Sequence, residues 1–113
     1  MSDIREMTDA LVKFRDERDW EQFHTSKDLA LALSIEAAEL NELFLWKSKP
    51  ESENPEPERL REELADVFAY ALLLAQKHGL NVKEIVLEKI QKNAIKYPVD
   101  KAKGSAKKYF DLK

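Results

Sequence analysis

The chain of 113 residues contains no cysteine, only two glycines and only four prolines. Without cysteine there is no disulfide framework, no thiolate zinc site and no thiol nucleophile. Long hydrophobic runs are also missing. The longest, Val67 to Ala75, is far short of the roughly 20 apolar residues of a membrane span. The opening residues, Met1 to Glu6, are charged and lack the apolar core of a signal peptide. No excess of basic charge exists either: 19 Lys and Arg stand against 22 Asp and Glu, a net −3 that argues against generic nucleic-acid binding. The expectation is one soluble, cytoplasmic domain with no membrane or nucleic-acid partner, small enough that self-association could complete its core.

The few prolines and glycines act as punctuation. Pro50, Pro55 and Pro57 share one polar loop, Pro98 and Gly104 fall in the tail, and Gly79 follows His78 as a helix-terminating glycine does. Between these breaks the apolar spacing predicts helices over about 3–18, 26–47, 58–78 and 82–96, with a basic tail over 97–113. Ser26 is expected to cap the second helix, and Asn81, with Glu84 three residues on, the fourth. No segment alternates with the period of a strand. The predicted fold is all-α, a four-helix bundle that assembles into an oligomer. The third helix supplies a reason for assembly: Val67–Ala75 is apolar all round and should be buried on every side.

Four acids interrupt the apolar helices. At about 100° per residue, Glu36 falls between the directions of Leu29, Leu33 and Leu40, inside the apolar stripe. Glu39 follows one turn later, and Glu63 and Asp66 repeat the spacing on the third helix. No Lys or Arg lies between Lys27 and Lys47, or between Arg61 and Lys77, so the acids are expected to lack basic partners. Burying an unpaired carboxylate costs several kcal/mol, and grouping like charges adds to it. A multivalent cation removes both penalties, and an all-oxygen donor set suits Mg²⁺, with Mn²⁺ as a substitute.

Cations and rings are distributed elsewhere. Lys89, Lys92, Asn93 and Lys96 share one side of the fourth helix, a face able to hold phosphate oxygens or simply to be solvated. The tail around Lys107, Lys108 and Tyr109 is basic, fit either to close over an anion or to act as a solubilising segment. Trp20, Phe23 and Trp46 flank the second helix, where they could stack on a heterocycle or pack in the core; His24 is a lone imidazole. Hard-cation ligands, phosphate-binding cations and aromatic rings together describe metal-assisted hydrolysis of a nucleotide polyphosphate. No Gly-rich phosphate loop is present.

Glu36-Ala37-Ala38-Glu39 followed by Glu63-Leu64-Ala65-Asp66 resembles the E-x-x-E…E-x-x-D signature of the MazG-like all-α nucleoside triphosphate pyrophosphohydrolases. Arg18–His24, Leu43–Trp46, Lys89–Asn93 and Gly104–Tyr109 extend the similarity to the dCTP pyrophosphatase branch. The resemblance implies Mg²⁺-dependent hydrolysis of a (deoxy)nucleoside triphosphate, dCTP or a modified pyrimidine dNTP, to monophosphate and pyrophosphate in nucleotide-pool housecleaning. It implies Glu36, Glu39, Glu63 and Asp66 as catalytic metal ligands, Trp20 and Trp46 at the base, and Tyr70 against the sugar. It also implies Lys89, Asn93 and Lys96 at the phosphates, a closing segment at Lys107, Lys108 and Tyr109, and a homodimer or homotetramer. One departure is Leu11, where some members carry a histidine near the base. Two other readings compete: a non-catalytic oligomeric helical module, and a carboxylate-bridged di-metal bundle. The second wants Glu-x-x-His pairs, which His24 and His78 do not form.

Overall fold

The computed structural model describes residues 2–112, in two compact units that divide between Leu80 and Asn81. Among the described residues all regular structure is helical. The first unit holds α1 (Asp3–Glu17), α2 (Ser26–Glu42), α3 (Lys49–Ser52) and α4 (Pro57–Lys77), with a 3-10 turn at Glu21–Phe23. The second holds α5 (Val82–Lys96), α6 (Val99–Ala102) and a 3-10 turn at Tyr109–Asp111. Three of the four long helices, α1, α4 and α5, keep their expected ends to within a residue, and α2 is shorter than expected.

Their ends follow from single residues. Ser2 caps α1 by accepting from the Arg5 N–H, and Asn81 caps α5 by accepting from the Glu84 N–H. Gly79 has φ 63°, a left-handed conformation that closes α4. Two expectations about α2 need correction. Its cap is Thr25, not Ser26: the Thr25 hydroxyl accepts from the Asp28 N–H while Ser26 is already helical. The helix also stops at Glu42 rather than near 47. The N–H groups of Leu43, Phe44, Leu45 and Lys47 reach back three residues instead of four, and Trp46 at φ 62° turns the chain away. Ser48 and Glu51 then start α3 with a reciprocal capping box.

In the first unit α4 is the common element, packing along α2 and more narrowly against α1. Leu29, Leu43, Leu72, Leu73 and Ala75 form the buried apolar core, and Arg15 of α1 is buried with them. Each of the leucines contributes about 1.5–3 kcal/mol by leaving water. The apolar run on α4 is not buried on every side, contrary to expectation. Two neighbours cover only part of its circumference, and Phe68 stays 62% exposed on the uncovered face with Leu64 one turn before it. Among the described residues no helix is long and apolar enough to cross a membrane.

Candidate active site

The packing of α2 on α4 brings the interrupting acids together. One carboxylate oxygen from each of Glu36, Glu39 and Glu63 lies within 4.8 Å of the other two, and all three side chains are partly buried. Glu36 Oε2 and Glu63 Oε2 are shielded from solvent and meet no hydrogen-bond donor. Burial, then the adjacent Glu39 carboxyl, and then the charges of Asp66 and Glu63 push Glu36 up to about 7. Glu63 is raised too, by burial first and by Glu39 next. Asp66 stands outside the group of three oxygens but acts on both of these neighbours through its charge.

Arg59 corrects one expectation. It lies one turn before Glu63, so that acid does have a basic neighbour on its own helix. Its pull on Glu63 is the weakest of the influences there and does not reverse the rise. A cluster of three acids with orphaned, desolvated oxygens is costly alone and is relieved by a hard divalent cation. The donor set therefore fits such an ion. Among the described residues neither histidine joins the group: His78 is bonded to the Ser26 hydroxyl, 2.8 Å away, and His24 lies elsewhere.

A cavity of about 270 Å³ has the fourth acid, Asp66, in its wall. From α4 come Asp66, Ala69, Tyr70 and Leu73; from α1 come Leu11, Phe14 and Arg15. Trp20 and His24 complete it. The end of α1 explains how Trp20 arrives there. Asp19 takes φ 54°, and the Trp20 N–H returns to the Arg15 carbonyl at 3.1 Å, folding the chain back over its own helix. The Trp20 ring then meets Phe14 edge-on, with centroids 5.8 Å apart, and the Arg18 guanidinium covers the Phe14 ring at 3.7 Å. The Tyr70 hydroxyl is raised above its ordinary value by burial and then by Glu36, Asp66 and Glu39, which puts it in the field of the acids. A larger groove of about 730 Å³ lies between the end of α2 and the start of α4 and contains none of the four acids.

Of the candidate site residues, Trp20 and Tyr70 thus share the cavity with Asp66. Trp46 does not: it is 92% exposed and lines neither hollow. Lys89, Asn93 and Lys96 are on α5 of the second unit, where Lys96 Nζ sits 4.9 Å from the Tyr109 ring centre. Tyr109 packs edge-on against Tyr97, and Lys107 and Lys108 are exposed beside it. Sequence reading missed Arg15. The signal was available, because Arg15 follows Leu11 by four residues and so interrupts the apolar stripe of α1 as Glu36 interrupts that of α2.

The model of the MazG-like family matches residues 31–112. The chain is 44% identical to dCTP pyrophosphatase 1 of Mus musculus over 117 aligned residues, covering 99% of this chain and 67% of that protein. Against dCTP pyrophosphatase 1 of Homo sapiens the identity is 40%, with 99% and 67% covered. A solved pyrophosphatase from Archaeoglobus fulgidus superposes with a TM-score of 0.82 at 40% identity, covering 87% of this chain and 94% of that one.

Proposed function

Because the chain belongs to the MazG-like family, we propose that it is a nucleoside triphosphate pyrophosphohydrolase acting on a deoxynucleotide, dCTP or a modified pyrimidine dNTP. Water splits the α–β anhydride link, giving the monophosphate and pyrophosphate. The observation that carries this reading is the group of Glu36, Glu39 and Glu63 oxygens beside a cavity walled by Trp20 and Tyr70.

Glu36, Glu39, Glu63 and Asp66 hold the metal, and one of them orients the attacking water. Mg²⁺, with Mn²⁺ as a substitute, neutralises the polyphosphate charge when bound. Tyr70, one turn beyond Asp66, meets the sugar, and Trp20 offers a ring edge to the base. Lys89, Asn93 and Lys96 pair with phosphate oxygens, and the segment around Lys107, Lys108 and Tyr109 closes over them. The chain forms a homodimer or homotetramer through the exposed Leu64 and Phe68 face of α4, with Trp46 reaching a base only within that assembly. The setting is the cytoplasmic nucleotide pool, from which the enzyme removes non-canonical or excess dNTPs.

The test is a panel of nucleotides incubated with Mg²⁺ and assayed for released pyrophosphate and monophosphate. Deoxynucleotide turnover to these two products supports the assignment. Release of orthophosphate instead, or no release at all, overturns it.

A further inference from the structure

We propose that Arg15 reads the base: its guanidinium donates to the O2 carbonyl of a pyrimidine and so favours pyrimidines over adenine. This role rests on the pyrophosphohydrolase reading and adds to it the group that chooses among bases.

Asp66 is the only one of the four acids that lines the cavity. The cavity therefore adjoins the metal-holding group and is left for the nucleoside. Its walls are largely hydrophobic, with Leu11, Phe14, Trp20 and Leu73 prominent, which is how pockets for flat heterocycles are built. At about 270 Å³ it lies just below the roughly 300 Å³ at which sites for drug-sized ligands begin, a size suited to the smaller bases.

Into these apolar walls the chain sets Arg15, a residue only 8% exposed. Its hydrogen bonds are unevenly spent. Nε donates to Asp16 Oδ1 at 2.9 Å, and Nη2 is ion-paired with the same oxygen at 2.8 Å and lies 3.7 Å from Glu21 Oε2. Nη1 has a single contact, 3.5 Å to Gln76 Oε1, at the outer limit of a hydrogen bond. Arginine is a donor with no acceptor capacity, and a buried donor left short of partners is costly until an acceptor reaches it. A second polar atom in the same wall is also unspent: His24 Nδ1 is shielded from solvent and has no partner. Burial, followed by the nearby Arg15 charge, lowers the His24 pKa, so the imidazole is neutral at pH 7 and Arg15 is the positive group of the wall. A carbonyl oxygen is the ligand atom that completes Nη1. Cytosine, thymine and uracil all carry one at O2, and adenine has none.

The experiment measures kcat/KM for dCTP, dTTP and dATP with Mg²⁺ in the wild type, Arg15→Lys and Arg15→Gln. The wild type is expected to favour both pyrimidines over dATP. Each variant should lose on the order of 10- to 100-fold on dCTP and dTTP alike, mainly through KM, while dATP changes less than about threefold. Because the ratio is taken on one preparation, loss of folded protein cancels from it; thermal melts confirm that both variants fold. Equal losses on all three nucleotides make Arg15 a structural clamp and overturn the proposal. An unchanged ratio overturns it too, and so does a loss confined to dCTP, which points to the amino edge of the base. A wild type that releases no pyrophosphate from any of the three is a distinguishable failure, because it removes the activity itself.

Discussion

A carboxyl group that folding leaves desolvated beside other carboxyl groups holds its proton more tightly than it does in the unfolded chain. Glu36 moves in this way from an ordinary 4.5 to about 7, and Glu63 shifts in the same direction. The folded state then binds more protons than the unfolded state between these values, so stability falls as pH rises through that window. The metal-free protein is expected to melt at progressively lower temperature between about pH 5 and about pH 8. Glu36→Gln should flatten that slope, and saturating Mg²⁺ should oppose it by mass action. Calorimetry across the pH range with and without the metal checks all three. For the same reason, Mg²⁺ affinity should weaken as pH drops below about 7, because protons and metal compete for Glu36. Turnover offers a second check. Glu39→Gln or Asp66→Asn should lower kcat by at least about 100-fold with helical circular dichroism unchanged. Full activity in either variant removes the acids from the mechanism.

The helices were legible in the sequence where a single residue decides an end, and less so where two compete. Asn81 was the expected cap of α5 and Gly79 the expected end of α4, and both stand there. Thr25 and Ser26 are adjacent hydroxyl residues, and either could have capped α2; the extended backbone at Thr25 decides between them. Leu43-Phe44-Leu45-Trp46 has the composition of a helix, so the three-residue bonds that tighten α2 there were invisible. The acids of the candidate site were legible because each breaks an apolar stripe within one helix. The cavity was not, because it depends on α1, α4 and the turn after α1 meeting in space. Two substitutions test these elements. Gly79→Ala keeps open space around the added methyl group but must hold φ 63°, and should cost about 1 kcal/mol, through backbone strain alone. Leu72→Ala, in the core of the first unit, should cost about 2–5 kcal/mol by leaving a cavity. Denaturant melts measure both.

Taken as a chain, the molecule separates its charges. From Asn81 onward nine lysines stand against four acids, although the total is −3, so the residues before that point carry the acidic excess. The four acids Glu36, Glu39, Glu63 and Asp66 belong to the first unit, and Lys89, Lys96, Lys107 and Lys108 to the second. The proposed assembly rests on surface chemistry. Phe68 and Leu64 leave an apolar strip exposed on α4. Phe68→Asp is expected to shift the protein toward a smaller species in sedimentation velocity, while the wild type sediments as a dimer or tetramer. A wild type that sediments as a monomer at micromolar concentration overturns the assembly.

The two tryptophans differ in their surroundings. Trp46 is almost entirely in water, whereas Trp20 touches Phe14 and lines the cavity. Their emission should differ in degree, with Trp46 at 92% exposure more red-shifted and more open to iodide quenching than Trp20 at 44%. A Trp46→Phe chain keeps Trp20 as its single tryptophan, in the wall of the cavity that holds Asp66, so a titration read at tryptophan emission reports binding there without any label.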